Sequence, residues 1–365
     1  MARKKTKSAG PLPPRDGLGA SRARVPAGDG IRAADLVWHL VSTQRYRHPA
    51  DDEAAVLERF ADGLVVTRDG AQLSPDTWLE PGTDVFFYRR PAPERPVPFE
   101  ITTVFEDEDL LVVDKPPFLA TMPRSSHITE TATVRLRRAT ANEELTPAHR
   151  LDRATSGLLL FTKRREIRGA YQELFARREV RKEYEAIAPL HDVSPATTWL
   201  HHLTKQHGEP AAVVHPDVQP NAKTIVAGVG RLDGSTEIAL QHRYNTTAPL
   251  GRYRLHPITG RTHQLRVQMM EEAAPILGDR IYPELLPADT EDGAWAHLTV
   301  EAARRWMGTM RFTDVEAVIE YLAYVPWDVP GFVVGDHIGA LERLAAERRP
   351  IEVTQMRFLI AATKG

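Results

Sequence analysis

Three segments carry residues whose types and spacing suit chemistry. The densest runs from Thr146 to Lys163, TPAHRLDRATSGLLLFTK. Within it Asp152 stands between Arg150 and Arg153, in a polar stretch that reaches Gly157 and then turns apolar. Catalytic groups concentrate on loops that a rigid strand positions, and neighbouring cations favour an ionised carboxylate. Thr155 and Ser156 can bond the loop backbone and hold its shape. Taken alone, Asp152 suits a turn cap or a surface ion pair better than a catalyst. The second segment is Leu255 to Met269, LHPITGRTHQLRVQM. Gly260 turns the chain, and Thr262 is the expected N-cap of a helix over 262–273. Arg261, His263 and Arg266 then fall near the helix start, where phosphates or carboxylates are stabilised. The plainer account is an amphipathic helix with Leu265, Val267 and Met269 partly buried. The third segment, Leu110 to Pro123, is a buried strand that ends sharply in Asp114-Lys115-Pro116.

Other chemistries find less support. The 365 residues include no cysteine, which removes disulfides, thiolate metal sites and a cysteine nucleophile. Among the histidines, His201, His202, His207, His215, His242 and His256 are scattered without a metalloprotease spacing. No metal or cofactor is expected. The net charge of −2 does not advertise a nucleic-acid partner, but its distribution does more. From Arg135 to Lys182 thirteen basic side chains face six acidic ones, whereas Glu271 to Glu301 holds eight acids and one base. A basic segment of this kind can hold a phosphate backbone or be a solvated helix face.

The elements that must position these groups can be read from periodicity. Residues 1–30 read as a disordered basic tail. Residues 31–90 read as a small domain. One helix is expected over 33–42, and a second begins at Asp51 or Asp52 with Ala54, Val56, Leu57 and Phe60 inside. Strands follow at 64–67 and 84–88, and the pattern loosely resembles an S4-like RNA-binding module, with an unrelated cap as the alternative. Residues 91–98 read as a stiff proline-rich linker. The main domain, 99–330, has expected strands at 110–113, 158–162, 184–188, 224–228, 237–241 and 252–256. A helix over 166–178 would gather Ile167, Tyr171, Leu174 and Phe175 on one face. Strands that follow one another without an intervening helix argue for α+β with a largely antiparallel sheet. Residues 331–365 read as a packing segment with a helix near 340–348. No apolar run approaches the ~20 residues of a membrane span. The basic N-terminus lacks the apolar core of a secretory signal. A cytoplasmic monomer is expected.

Together and in this order, the three segments resemble the RluA family of bacterial RNA pseudouridine synthases. The stretch Asp114 to Leu119 is similar to the family's DKP-x-G-L. The catalytic pattern H-R-L-D-x-x-T-S-G-L is matched from His149 to Leu158, and K-x-Y-x-A by Lys182, Tyr184 and Ala186. T-G-R-T-H-Q-I-R is matched from Thr259 to Arg266, with Leu265 in the isoleucine place, and G-D-x-x-Y by Gly278, Asp279 and Tyr282. Phe118 departs from a usual glycine, Gln268 from a usual histidine and Pro283 from a usual glycine. The resemblance spans roughly 99–325 and implies the pseudouridine synthase fold, a mixed, largely antiparallel central sheet flanked by helices.

The resemblance also implies roles. Asp152 is the essential carboxylate, with Arg266 expected to pair with it and keep it ionised. Arg150 and Leu151 precede it on the loop, and Arg150 would enter the RNA stack that the base leaves. Tyr184 would pack on the flipped uracil and assist proton removal from C5, with Leu265 across the base. His149, Thr155, Ser156, Gly157, Arg261, His263 and Gln264 are supporting residues. The implied partner is ribosomal or transfer RNA. A non-catalytic RNA-binding or ribosome-assembly protein on the same fold is the alternative.

Overall fold

The computed structural model describes residues 10–206 and 208–285, and the backbone of 298–312 and 351–364. The N-terminal module comprises β1 (Ser21–Arg24), β2 (Ile31–Arg32), α1 (Ala33–Ser42), α2 (Glu53–Ala61), β3 (Val65–Thr67), β4 (Trp78–Leu79) and β5 (Asp84–Phe87). Its sheet has the order β1-β5-β3. Residues 21–24 pair with β5 along their full length, so this part of the expected tail is an ordered strand. A short run of arginines is compatible with a strand when alternate side chains face solvent and Asp84 meets Arg22 at 2.9 Å. Helix α2 starts where Asp52 accepts the Ala55 N–H at 2.9 Å. It buries Ala55, Val56, Arg59 and Phe60; the expected inward residues Ala54 and Leu57 are exposed. The inward stripe is shifted because Arg59 reaches the fully buried Asp51 at 2.5 Å.

The main domain continues with β6 (Thr102–Glu106), β7 (Leu110–Lys115), α3 (Ala132–Thr140), β8 (Thr146–Pro147), β9 (Gly157–Thr162) and α4 (Arg168–Ala176). Then follow β10 (Tyr184–Pro189), β11 (Thr197–His201), β12 (Leu203–Thr204), β13 (Val213–Val214), β14 (Ala222–Arg231), α5 (Gly234–Arg243), β15 (Leu250–Pro257) and α6 (Gln264–Glu271). Two four-stranded sheets result, in the orders β6-β7-β9-β8 and β10-β15-β14-β11, with every strand pairing within each of them antiparallel. Strands β16 (Leu298–Phe312) and β17 (Ile351–Lys364) pair antiparallel with each other. The helix expected near 340–348 lies outside the described residues.

The first sheet is a continuous apolar wall. All six residues of β7 and all six of β9 are buried, as expected for strands covered on both faces. On one face Ile167, Tyr171, Leu174 and Phe175 from α4 and its N-cap pack against Leu110, Val112, Leu158 and Leu160. On the other, Leu136 of α3 joins Leu111, Val113, Leu159 and Phe161. The second sheet alternates: Ala186 and Ala188 of β10 face a core with Val226, Tyr253, Leu255 and Met269, while Glu185 and Arg254 lie on the other strand face.

The expected strand at 237–241 is part of α5. Asp233 caps that helix by accepting the Thr236 N–H at 2.9 Å and the Thr236 hydroxyl at 2.7 Å. The short apolar run Ile238-Ala239-Leu240 suits a strand as well as a helix, but Ile238 is 68% exposed and the cap decides the local structure.

The 91–98 segment is extended and docked on the main domain. The Glu94 carboxylate accepts the N–H groups of Ile128, Thr129 and Glu130 at 2.9, 2.7 and 3.2 Å, and Val97 N donates to Glu130 at 2.8 Å. Much of the basic run also serves structure. Arg137 binds the carbonyls of Gly17 and Leu145 at 3.0 and 2.9 Å. Arg138 meets Asp16 at 2.6 Å, Lys163 meets Glu106 at 2.8 Å, and Arg164 pairs with Asp109.

Candidate active site

Asp152 sits on the loop that leaves β8 and enters β9. Gly157 closes that loop with φ of 125°, a backbone conformation that glycine adopts without a Cβ clash. Opposite Gly157 in the ladder stands Lys115, the last residue of β7. Its ammonium, fully buried, donates to the carbonyls of Pro116 and Leu119 at 2.8 Å each and of Arg153 at 3.3 Å. Burial pushes the Lys115 pKa down to about 7, against the attraction of Asp152 and Asp114. The lysine thus ties the loop of Asp152 to the 116–119 turn. Phe118 occupies that turn with φ of 66°, the left-handed region in which glycine is easy, and stacks on Phe99 at 6.3 Å. The departure from glycine therefore keeps the turn and adds a ring contact.

A second brace comes from Thr121, buried beside the loop. Its hydroxyl donates to the Leu151 carbonyl at 2.8 Å and accepts the Leu151 N–H at 3.1 Å. The Thr121 carbonyl is in turn held by the Thr133 hydroxyl at 2.7 Å. Leu151 itself is buried, so the residue before Asp152 is fixed by both packing and hydrogen bonds. Thr155 N donates to the Asp152 carbonyl at 3.1 Å and shapes the turn that follows. His149 supports the loop's entry: it stacks on Phe175 at 4.4 Å and accepts the Leu160 N–H at 3.2 Å. Burial, with the Lys182 charge, pushes the His149 pKa down to about 3, so the imidazole is neutral near pH 7.

The other half of the site arrives on α6. Arg266 donates to Asp152 Oδ2 at 3.2 Å through Nη1. Its Nε and Nη2 grip both oxygens of Asp279 at 2.6 and 2.8 Å, a bidentate pair of the strong kind. Burial disfavours the guanidinium charge, but the bonds and charges of Asp279 and Asp152 raise its pKa above the ordinary value. Asp279 is likewise buried, and Arg266 together with the Ile281 and Tyr282 N–H groups holds its carboxyl below the usual range. Arg150 stands more loosely, 3.9 Å from Asp152 and largely exposed. His263 Nε2 also lies 3.9 Å from Asp152, and its Nδ1 is 3.0 Å from the Tyr282 hydroxyl.

Thr262 does not cap α6. The helix starts after His263, whose φ of 58° places it in the left-handed region, and no side chain caps the end. The turn is built by Gln264 instead. Its carbonyl oxygen accepts from the Thr259 hydroxyl at 2.6 Å and Arg261 N at 3.0 Å; its amide donates to the Lys223 carbonyl at 3.1 Å and the Thr224 hydroxyl at 3.0 Å. Gln264 is buried and saturated, so it shapes the loop. Arg261 is exposed and leans on the Asn221 carbonyl at 3.2 Å. Gln268, in the usual histidine place, is fully buried and accepts the Thr224 hydroxyl at 2.6 Å.

The structure thus gathers Arg150, Asp152, His263 and Arg266. Tyr184 and Leu265 pack against one apolar cluster with Leu255 and Met269. His149, Thr155, Gly157 and Gln264 shape loops, and Arg261 stands at the surface. Thr121, Thr133 and the tie from Lys115 to Arg153 carry no sequence signal of their own. Asp279 and Tyr282 lie in the G-D-x-x-Y match, which was their signal. Among the described residues no cluster of His, Asp and Glu could hold a metal ion, and no helix is long and apolar enough to cross a membrane.

The profile of the RNA pseudouridylate synthase family matches residues 109–271. An uncharacterised RNA pseudouridine synthase of Synechocystis is 27% identical over 253 residues, covering 66% of this chain and 77% of that protein. The dual-specificity RNA pseudouridine synthase RluA of Haemophilus influenzae is 31% identical over 182 residues, covering 49% of this chain and 75% of the relative. The ribosomal large subunit pseudouridine synthase D of Escherichia coli is 30% identical over 190 residues, covering 51% of this chain and 53% of the relative.

Proposed function

The chain belongs to the RluA family of RNA pseudouridine synthases, and we propose that Asp152 is the carboxylate through which it converts uridine to pseudouridine. The reaction breaks the N1–C1′ bond, turns the uracil and joins C5 to C1′. The target base must leave its stack to be reached. The observation that carries the reading is the fixed carboxylate: Asp152 is met at 3.2 Å by Arg266, which is itself gripped by Asp279. A guanidinium in that position orients the carboxylate through a charge-assisted hydrogen bond.

In this reading the exposed Arg150 guanidinium fills the stack beside the departed base, since an Arg plane can stack on bases. Tyr184 packs on one face of the uracil and assists loss of the C5 proton, and Leu265 covers the other. Their shared apolar cluster supports this pairing. The substrate is ribosomal or transfer RNA, the enzyme acts as a cytoplasmic monomer, and the N-terminal module is an S4-like RNA contact. Its two helices beside a small sheet support that last reading.

The test is tritium release from RNA carrying tritium at uridine C5. Release by the full chain, abolished by Asp152→Ala, is the expected result. An Asp152→Ala protein that binds RNA and releases tritium at the original rate sinks the proposal. RNA binding without release by the unaltered chain, on total RNA from cells lacking it, supports a non-catalytic RNA-binding protein instead.

A further inference from the structure

Tyr282 is buried, and its hydroxyl is held from two sides. Ala212 N donates to the Tyr282 oxygen at 2.6 Å. His263 Nδ1 lies 3.0 Å from the same oxygen, with the two rings edge to face. The backbone N–H has one possible direction of donation, so the tyrosine oxygen accepts from Ala212. The tyrosine's own proton then goes to His263 Nδ1. The alternative, Nδ1–H donating to the tyrosine, leaves a buried O–H without an acceptor in this pair, which is the unfavourable arrangement. A neutral imidazole that accepts at Nδ1 carries its proton on Nε2. Nε2 is the atom 3.9 Å from Asp152 Oδ2, the oxygen that Arg266 also approaches.

We propose that Tyr282 and His263 are positioning residues: the tyrosine hydroxyl sets the histidine tautomer, and the Nε2–H so fixed is aimed at the Asp152 carboxylate. The inference rests on the reading of Asp152 as the reacting group. The groups facing His263 agree with a neutral ring. Asp152 and Asp279 attract a proton, but burial, Arg266 and Lys205 oppose it, and the net effect is a lowered pKa. An imidazolium would donate from Nδ1 to the tyrosine oxygen and so deprive the buried O–H of that acceptor. With the tautomer fixed, Asp152 Oδ2 has a hydrogen bond from Arg266 at 3.2 Å and the longer, electrostatic approach of the His263 Nε2–H at 3.9 Å. The two together favour one orientation of the carboxylate before the RNA arrives, which is where orientation contributes to rate.

The experiment is nitrogen NMR of the full chain with isotope-labelled histidine, together with steady-state kinetics of tritium release. Unaltered protein is expected to show His263 as the neutral Nε2–H tautomer. Tyr282→Phe is expected to show mixed tautomers, a roughly tenfold lower kcat and a KM within about twofold, the split of an orientation effect. An Nδ1–H tautomer in the unaltered protein overturns the proposal, and that measurement does not depend on a variant folding. So does Tyr282→Phe with mixed tautomers and full kcat. His263→Gln, which keeps an amide N–H, should retain more turnover than His263→Leu; equal losses count against the proposal. Full turnover in Asp152→Asn with the Nε2–H tautomer intact would instead remove the reading of Asp152 itself, and the proposal with it.

Discussion

The two sheets of the main domain are built differently, and the site is divided between them. The first, around β7 and β9, is buried on both faces along every residue of those strands. It supplies Asp152 on a loop locked by Lys115, Thr121 and Gly157. The second, around β15, interleaves buried positions with partly buried ones and the exposed Arg254. Its neighbour α6 supplies Arg266, whose position depends on Asp279 rather than on deep packing of the strand ends. The Asp152 carboxylate is thus placed by a rigid wall, and its electrostatic partners arrive from the second, less uniformly buried sheet layer. Substitutions in the first half should act chiefly on stability, and those in the second chiefly on rate.

The largest expected effect tests the first half of that contrast. Lys115→Met leaves the carbonyls of Pro116, Leu119 and Arg153 without their donor inside the protein. At about 1–3 kcal/mol for each orphaned buried group, a loss of at least about 3 kcal/mol is expected in urea unfolding. A loss under about 1 kcal/mol would show that the loop is held otherwise. The second half is tested by Asp279→Asn, which keeps the size but removes the charge that grips Arg266. Turnover should fall about tenfold, equivalent to about 1.4 kcal/mol, with a smaller change in unfolding free energy than Lys115→Met gives. The reverse order of stability effects would break the comparison.

The effect that is smallest at neutral pH concerns His149. Its folded pKa of about 3 lies below the ordinary 6.5, so the folded state refuses a proton that the unfolded state accepts. The stabilisation is full above pH 6.5 and is lost progressively as pH falls toward 3. Thermal unfolding midpoints of the unaltered protein should therefore drop more steeply over that window than those of His149→Gln. Parallel slopes would place the acid sensitivity elsewhere.

Periodicity made some of this visible and long-range contacts hid the rest. The α4 face of Tyr171, Leu174 and Phe175, with Ile167 before it, follows from a 3.6-residue repeat because one side of the helix meets the apolar wall. Residues 237–241 carry an Ile-Ala-Leu run that suits a short strand as well as a helix, and the cap at Asp233 that decides for the helix lies outside that window. The strand at 21–24 could not be expected from its arginines, since its partner is more than sixty residues away at β5. The Arg266–Asp152 pair could be expected from two motifs, and the groups stand 3.2 Å apart. Nothing in local spacing connects Thr121 to Leu151, because a hydroxyl bridging thirty residues leaves no periodic trace.

Glu94 gives the 91–98 segment a meaning beyond connection. Its carboxylate is seated in three consecutive amides of 128–130, and the following residues 131–133 brace Ala120 and Thr121, which hold the loop of Asp152. The N-terminal module is consequently geared to the reaction centre instead of swinging on a slack tether. The separation between that module's outer surface and the Asp152 loop is thereby ruled into the protein like a gauge.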